Sequence, residues 1–217
     1  MKIFTSEDFA GMDKRYRTQL INSIPGIKAL QLVGTRDEQG RENLAVFNSI
    51  FHVGANPPYL GMVVRPDSVD RHTWQNIQAT GSYTMNAVGR DFYRRAHQTS
   101  ARYPREVSEF SAVGLGAEYR PGVLAPFVAE SGVKLGLELQ EFQRVECNGT
   151  IVVVGKVVFA EIHPSLIFAD GSVDLVSAQS VGSVGLDGYV EVNWLDRLSY
   201  AKPDQVLESL LPTTEKK

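Results

Sequence analysis

The stretches Val133 to Cys147 and Thr150 to Ile162 flank the dipeptide Asn148-Gly149. Asn-Gly is the pair preferred in a tight primed hairpin turn, where both central residues need a positive φ. The stretches therefore read as the two arms of one long antiparallel hairpin. Within the first arm Leu135, Leu137 and Leu139 alternate, and the phase then shifts between Gln140 and Phe142. A β-bulge at that point bends the strand, as the wall of a barrel requires.

The rest of the chain supplies further strands. Lys28 to Thr35 reads as a strand followed by the turn Asp37 to Gly40. Glu42 to Phe51 is a second strand, leading into the loop Gly54 to Pro58, where two prolines should end ladder pairing. Tyr59 to Val64 resumes as a strand, Ser82 to Val88 is another, and the last are expected at Asp174 to Ser177 and Gly188 to Val192. Between them, Asp70 to Ala79 has the pattern of a short helix, with Asp70 as its cap, Trp74 and Ile77 on one face, and Gly81 as its stop. Residues 89–131 are mixed: a short helix at Arg90 to Gln98, then irregular chain around Pro121 and Pro126.

Six or seven β segments around one short helix point to a small closed barrel, because closure removes exposed edges. A sandwich is the alternative. Strands do not alternate with glycine-led helices, which argues against a dinucleotide-binding parallel sheet. Ahead of the barrel, residues 1–25 hold one helical candidate, Gly11 to Ile24, with Met12, Tyr16, Leu20 and Ile24 on one face. It is expected to cover a barrel end or a dimer interface. The domain proper is assigned to 26–205, and 206–217 to a flexible tail, with Pro212 to Lys217 disordered.

Composition narrows the partners. Lys and Arg number 22 against 25 Asp and Glu, a net charge of −3, so there is no basic field to hold nucleic acid or an anionic membrane. No window approaches the roughly 20 apolar residues of a membrane span. Cys147 is the only cysteine, which excludes an intrachain disulfide and leaves no metal cluster. Acidic residues near Met1, where a secretory signal would be apolar, complete the expectation of a cytoplasmic protein.

Three stretches carry candidate chemistry. In Val64 to Ile77 a strand ends in Arg65, and a helix begins beside Arg71 and Thr73 with Asn76 one turn on. Free N–H groups at a helix start, with guanidinium and hydroxyl donors, suit a phosphate monoester. The alternative is a capped surface helix with solvated arginines. In Asn43 to Phe51, Asn48 and Ser49 interrupt an apolar strand and either tie down a loop or face a ligand. The third is His97 to Pro104, whose histidine is a candidate acid or base, or a surface residue. Cys147 lies beside Glu146, which gives no reason for a reactive thiolate.

In order along the chain, Asn48-Ser-Ile-Phe51, Gly54-Ala-Asn-Pro-Pro-Tyr-Leu-Gly61, Arg71-His-Thr-Trp-Gln-Asn-Ile77, Asn86, and Thr99-Ser-Ala-Arg-Tyr-Pro104 with Glu109-Phe110 resemble the flavin reductase-like family of the FMN-binding split barrel. The resemblance runs from about residue 25 to 200. It implies a mainly β, Greek-key split barrel with a few short helices, a homodimer with one flavin in each interface cleft. Asn48, Ser49 and the backbone of Val63, Val64 and Arg65 would line the flavin ring and ribityl chain. Arg71 and Thr73, supported by Asn76, would hold the phosphate, and Thr99 and Ser100 would approach from the following loop. Many members carry a basic residue before the Thr-Ser pair, where this chain has Gln98, and glycine in place of Ala101.

The activity implied is NAD(P)H-dependent flavin reduction, with FMN as cofactor and the nicotinamide nucleotide as co-substrate. The alternatives are an FMN-holding electron-transfer protein, or a non-enzymatic flavin- or haem-binding module with His52, His97 or His163 as axial ligand.

Overall fold

The computed structural model describes residues 1–211. In chain order the elements are α1 (Ser6–Gly11), α2 (Lys14–Ser23), β1 (Lys28–Ala29), β2 (Gln31–Arg36), β3 (Glu42–Phe47), β4 (Ile50–Ala55), β5 (Pro58–Val64), α3 (His72–Thr80), β6 (Ser82–Ala87), α4 (Tyr93–Gln98), α5 (Glu109–Val113), β7 (Ala117–Arg120), β8 (Val123–Val128), β9 (Val133–Arg144), β10 (Ile151–Ile162), a 3-10 turn (Pro164–Leu166), β11 (Val181–Val184) and β12 (Gly188–Glu191).

Seven strands form one antiparallel sheet in the order β3-β2-β6-β9-β10-β5-β4. Its two edge strands, β3 and β4, are consecutive in the chain and joined only by Asn48 and Ser49. Three Cα steps of 3.8 Å reach about 11 Å at most. The sheet must therefore curl until its edges come together, and the result is a split barrel whose seam runs at Asn48-Ser49. The single strand expected over Glu42 to Phe51 is thus two strands with the seam between them.

The bulge expected near Gln140 to Phe142 is present. Val154 pairs with Glu141 and Gly155 with Leu139, so Gln140 is the extra residue. The turn of this hairpin is longer than the Asn-Gly pair alone. The Val145 N–H donates to Thr150 O at 2.8 Å and the Gly149 N–H to Val145 O at 2.7 Å, with Gly149 at φ +72°. Asn148 closes the loop by accepting from the Thr150 N–H and hydroxyl.

Both faces of β2 are buried, against different clusters. Leu32 packs with Leu30, Leu44, Phe92 and Phe110, whereas Val33 packs with Met62, Trp74, Ile77 and Leu137. Each fully buried Leu or Ile contributes about 1.5–3 kcal/mol. Trp74, Ile77 and Thr73 are the buried face of α3, so this short helix is seated by the second cluster. Close packing also explains Gly34: a Cβ there would lie 2.2 Å from the Pro126 carbonyl oxygen.

Several local expectations change. The N-terminal helix is two helices, because Asp13 accepts from the Arg15 and Tyr16 N–H groups and starts α2 afresh. Pairing in the β4–β5 hairpin reaches Pro58, opposite Ala55, because proline is tolerated as the first residue of a strand. Residues 117–128 form the β7–β8 hairpin rather than irregular chain, with Pro121-Gly122 as its turn. The helix expected from Arg90 begins at Tyr93. Asp174 to Ser177 is a turn, since the Asp174 carboxylate accepts from the Ser177 N–H and hydroxyl.

A three-stranded sheet, β1-β11-β12, lies outside the barrel. Helix α2 rests on its far turn, where Gln19 Nε2 donates to Asp187 at 3.3 Å. The chain then continues to Leu211, with an isolated bridge between Leu198 and Ser209. Of the expected tail, 206–211 folds back on this bridge, and 212–217 lies outside the described residues. Among the described residues no helix is long and apolar enough to cross a membrane.

Candidate functional site

The barrel seam opens into a cleft of about 1320 Å³. A single drug-sized ligand needs roughly 300–1,000 Å³, so the space exceeds what one such molecule fills. All ten residues expected at the site line this one cleft. They come from the seam (Asn48, Ser49), the end of β5 and the residue after it (Val63, Val64, Arg65), α3 and its cap (Arg71, Thr73, Asn76), and the loop after α4 (Thr99, Ser100).

The start of α3 faces the cleft without a side-chain cap. Asp70, expected to provide one, instead accepts from Gln75 Nε2 at 3.3 Å. Among the described residues the backbone N–H groups of His72, Thr73 and Trp74 have no acceptor. Arg71 caps the helix with its backbone only, and its Nε donates to Pro66 O at 3.1 Å. That bond fixes the guanidinium and leaves its two terminal nitrogens uncommitted. Arg65, Arg71 and Arg102 line the cleft and form no ion pair among the described residues.

Behind this helix start lies a buried polar network. Asn43 Nδ2 donates to Thr35 Oγ1 at 3.1 Å and to Thr73 Oγ1 at 3.0 Å. Asn76 Nδ2 also donates to Thr35 Oγ1, and Asn76 Oδ1 accepts from Arg105 at 3.3 Å. Because the Thr73 oxygen already accepts from Asn43, its own proton is left for a further acceptor. Asn76 is engaged on both ends, so its place is in the frame. Arg105 binds Gln75 as well and stands 3.8 Å from Asp37.

Charge is tuned here by burial. Burial opposes ionisation of Asp37, but hydrogen bonds from Arg41 outweigh it and hold the carboxyl below its ordinary range. His72 is pushed down by burial and then by the Arg105 charge, so it favours the neutral ring. Burial raises the Glu109 carboxyl, against the opposing hydrogen bond it accepts from the Leu44 N–H at 2.9 Å.

In the loop after α4, Thr99 Oγ1 donates to Ala96 O and Ser100 Oγ donates to His97 O, both at 2.7 Å. Gln98 turns away to Tyr103. His97 lines the cleft, with its Nδ1 2.8 Å from the Tyr189 hydroxyl. His52 and His163 lie outside the cleft, and His163 Nδ1 caps the 3-10 turn. Of the three candidate axial ligands for haem, His97 alone reaches the space.

The far wall was not foreseen from the sequence. Ser183, Leu186 and Tyr189 of the β11–β12 hairpin line the cleft, and Asn22 of α2 joins them. Asn48 Nδ2 donates to Gly185 O at 3.1 Å, tying this hairpin to the seam. Asn43, Arg105 and Glu109 were likewise missed as site residues. Each acts through partners distant in sequence, a relation no local motif encodes.

A mainly β split barrel with a polar cleft at its seam is the architecture of a class of flavin-linked oxidoreductases. The family model of the flavin reductase like domain matches residues 28–177, and the chain belongs to the flavin reductase-like family. A split-barrel protein of Shewanella frigidimarina, itself a candidate flavin reductase, is 43% identical, with a TM-score of 0.89 over 93% of this chain and 100% of its own. Nitrilotriacetate monooxygenase component B from Bacillus cereus shares the fold, with a TM-score of 0.80 at 16% identity over 91% of this chain and 98% of its own. An Aquifex aeolicus protein without an assigned activity is 26% identical over 73% of this chain and 81% of its own length. The family match ends before β11 and begins after α2, so the far wall comes from segments outside the family domain.

Proposed function

We propose that the cleft binds FMN and that the protein is an NAD(P)H-dependent flavin reductase, acting as a cytoplasmic homodimer. The observation that carries this reading is the bare start of α3, where His72 and Thr73 with free N–H groups, Arg71 with its guanidinium and the Thr73 hydroxyl line one cleft. A helix start with charge-assisted donors is chemically matched to a terminal phosphate. The donor set therefore fits the group, and Arg65 and Arg102 add two more cations to the same cleft.

In this reading Arg71 and Thr73 grip the phosphate, and Asn76 positions them through Thr35 and Arg105. Asn48, Ser49 and the backbone of Val63, Val64 and Arg65 face the ring and ribityl chain, with Thr99 and Ser100 closing from the loop after α4. A bound flavin would supply the two-electron chemistry between a reduced nicotinamide donor and an acceptor. The protein supplies grip, orientation and exclusion of water. Pairing of two copies is supported by large apolar side chains left in solvent, among them Phe51 and Val53 of β4 and Leu195, Tyr200 and Val206 near the C-terminus.

The test is a fluorescence titration of FMN with wild type and Arg71→Ala. Loss of a charge-assisted contact costs about 1.5–3 kcal/mol, or roughly 10–100-fold in affinity. Unchanged affinity would remove Arg71 from the site, and a protein that binds no flavin would end the reading. Oxidation of NADH or NADPH with added free flavin separates a reductase from an electron-transfer protein.

A further inference from the structure

We propose that residues 197–210 form an arm that docks on helix α2 of a second copy of this chain. It rests on the homodimer reading and names the segments that meet.

The arm is a small hairpin closed upon itself. Leu198 bridges Ser209, the Ser199 N–H donates to Glu208 O, and the Leu210 N–H donates to Arg197 O. Among the described residues, every hydrogen bond made by 198–210 stays within 196–210, so none reaches α2 of its own chain. The root is fastened to the body. The Trp194 indole N–H donates to Asp174 at 3.0 Å, and the Arg197 guanidinium pairs with Asp170 and lies 4.5 Å over the Phe168 ring.

Beyond that root the arm stands in solvent. Every residue from Tyr200 to Leu210 is exposed, Tyr200 at 86% and Val206 at 90%, with Leu207 and Leu210 beside them. A two-stranded hairpin alone is at best marginally stable in water, and clustered exposed apolar side chains mark a contact surface. The arm therefore requires a surface that its own chain does not supply.

Helix α2 answers it in polarity and in charge. Gln19 and Ser23 lie against the β11–β12 turn. A helix rotates about 100° per residue, which turns Ile21 and Ile24 to the far side, flanked by Lys14 and Arg17. Both isoleucines are exposed, and the helix buries none of its residues. Lys14, Arg15 and Arg17 give it three cations, and Lys14–Ser23 contains no acid. The arm has the opposite sign: Asp196, Asp204 and Glu208 outnumber Lys202, while Arg197 is already paired with Asp170. Complementary charge sets the register of two surfaces and disfavours wrong partners. One chain carries both halves, so a twofold pair makes the contact twice. The contact also reaches the cleft. Helix α2 carries Asn22 into the lining and holds the β11–β12 turn through Gln19, so a seated arm backs that wall from outside.

The test uses the full chain carrying Cys147→Ser, Ile24→Cys and Val206→Cys, treated with a short bismaleimide and run on a denaturing gel. The expected product has twice the subunit mass, and neither single-cysteine variant yields it. A link within one chain, seen as subunit mass with both thiols consumed, would overturn the proposal by returning the arm to its own helix. Sedimentation measures the pairing itself. Val206→Asp, at a side chain the single subunit leaves in solvent, should raise the dimer dissociation constant about 10–100-fold. A dimer that forms as tightly as wild type, without the cross-link, would keep the homodimer reading and overturn the arm contact, leaving the arm to a different protein. A wild-type chain that sediments as a monomer at every concentration would end both.

Discussion

Behind the start of α3 the buried polar side chains hold one another, whereas on the β11–β12 hairpin the buried Ser183 hydroxyl has no partner. Asn43 holds Thr73, Asn76 shares Thr35 with Asn43, and Arg105 braces Asn76. On the β11–β12 hairpin the Tyr189 hydroxyl has one hydrogen-bond partner, His97, and the Ser183 hydroxyl has none. A network satisfied in advance can fix an anion's geometry before the ligand arrives. A wall with spare hydrogen-bonding capacity can discriminate among ligands, because an ill-matched one leaves a buried group unpaired. The contrast teaches that one cleft can join a polar network completed within the fold to a buried hydroxyl left open.

The strongest way to break the comparison is to unseat α3. Trp74 is 2% exposed and anchors the helix in the core beside Ile77. Trp74→Ala should cost about 3–5 kcal/mol in urea unfolding, and the folded fraction should bind FMN more weakly. Full affinity in that variant would show that the grip does not depend on how α3 is seated.

A smaller effect sharpens the α3 side. The Glu109 carboxyl is raised by burial above its ordinary 4.5. A raised acid contributes stability below its unfolded pKa and loses it as pH climbs through the folded value. Glu109→Gln keeps an acceptor for the Leu44 N–H and removes the titration. The variant should therefore gain in melting temperature relative to wild type as pH rises from about 4.5. A gap that stays constant from pH 4 to 8 would rule out a titrating carboxyl there.

The smallest effect belongs to the outer wall. Gln19→Ala removes an exposed hydrogen bond to Asp187 at the hairpin turn. Stability should move by no more than about 0.5 kcal/mol, with FMN affinity unchanged. A large fall in FMN affinity would mean the two walls are mechanically one.

Much of the α3 end of the cleft was legible because its signals are local. Arg71 and Thr73 sit at the start of a helix that Gly81, at φ +68°, ends as its sequence implies. Asn48-Ser49 stood out as polar residues in an apolar strand, and they prove to be the seam. The far wall carried no such signal. Val181–Val184 is four residues long and includes a glycine, too short for a strand period to show. The expected strand at Asp174 to Ser177 was lost to its own aspartate, whose carboxylate also takes the Trp194 indole N–H from 20 residues away.

By itself the sequence determined the antiparallel hairpin with its bulge at Gln140, the short helix bearing Arg71 and Thr73, and the polar break at Asn48-Ser49. These follow from neighbours along the chain, whose spacing sets torsion and burial. Tertiary structure alone decided that β3 and β4 meet as a seam, that Arg105 and Asn43 frame the helix start, and that Ser183 and Tyr189 line the same cleft. None of these relations is written in local spacing, and only the closing of the sheet brings the elements that carry them to one cleft.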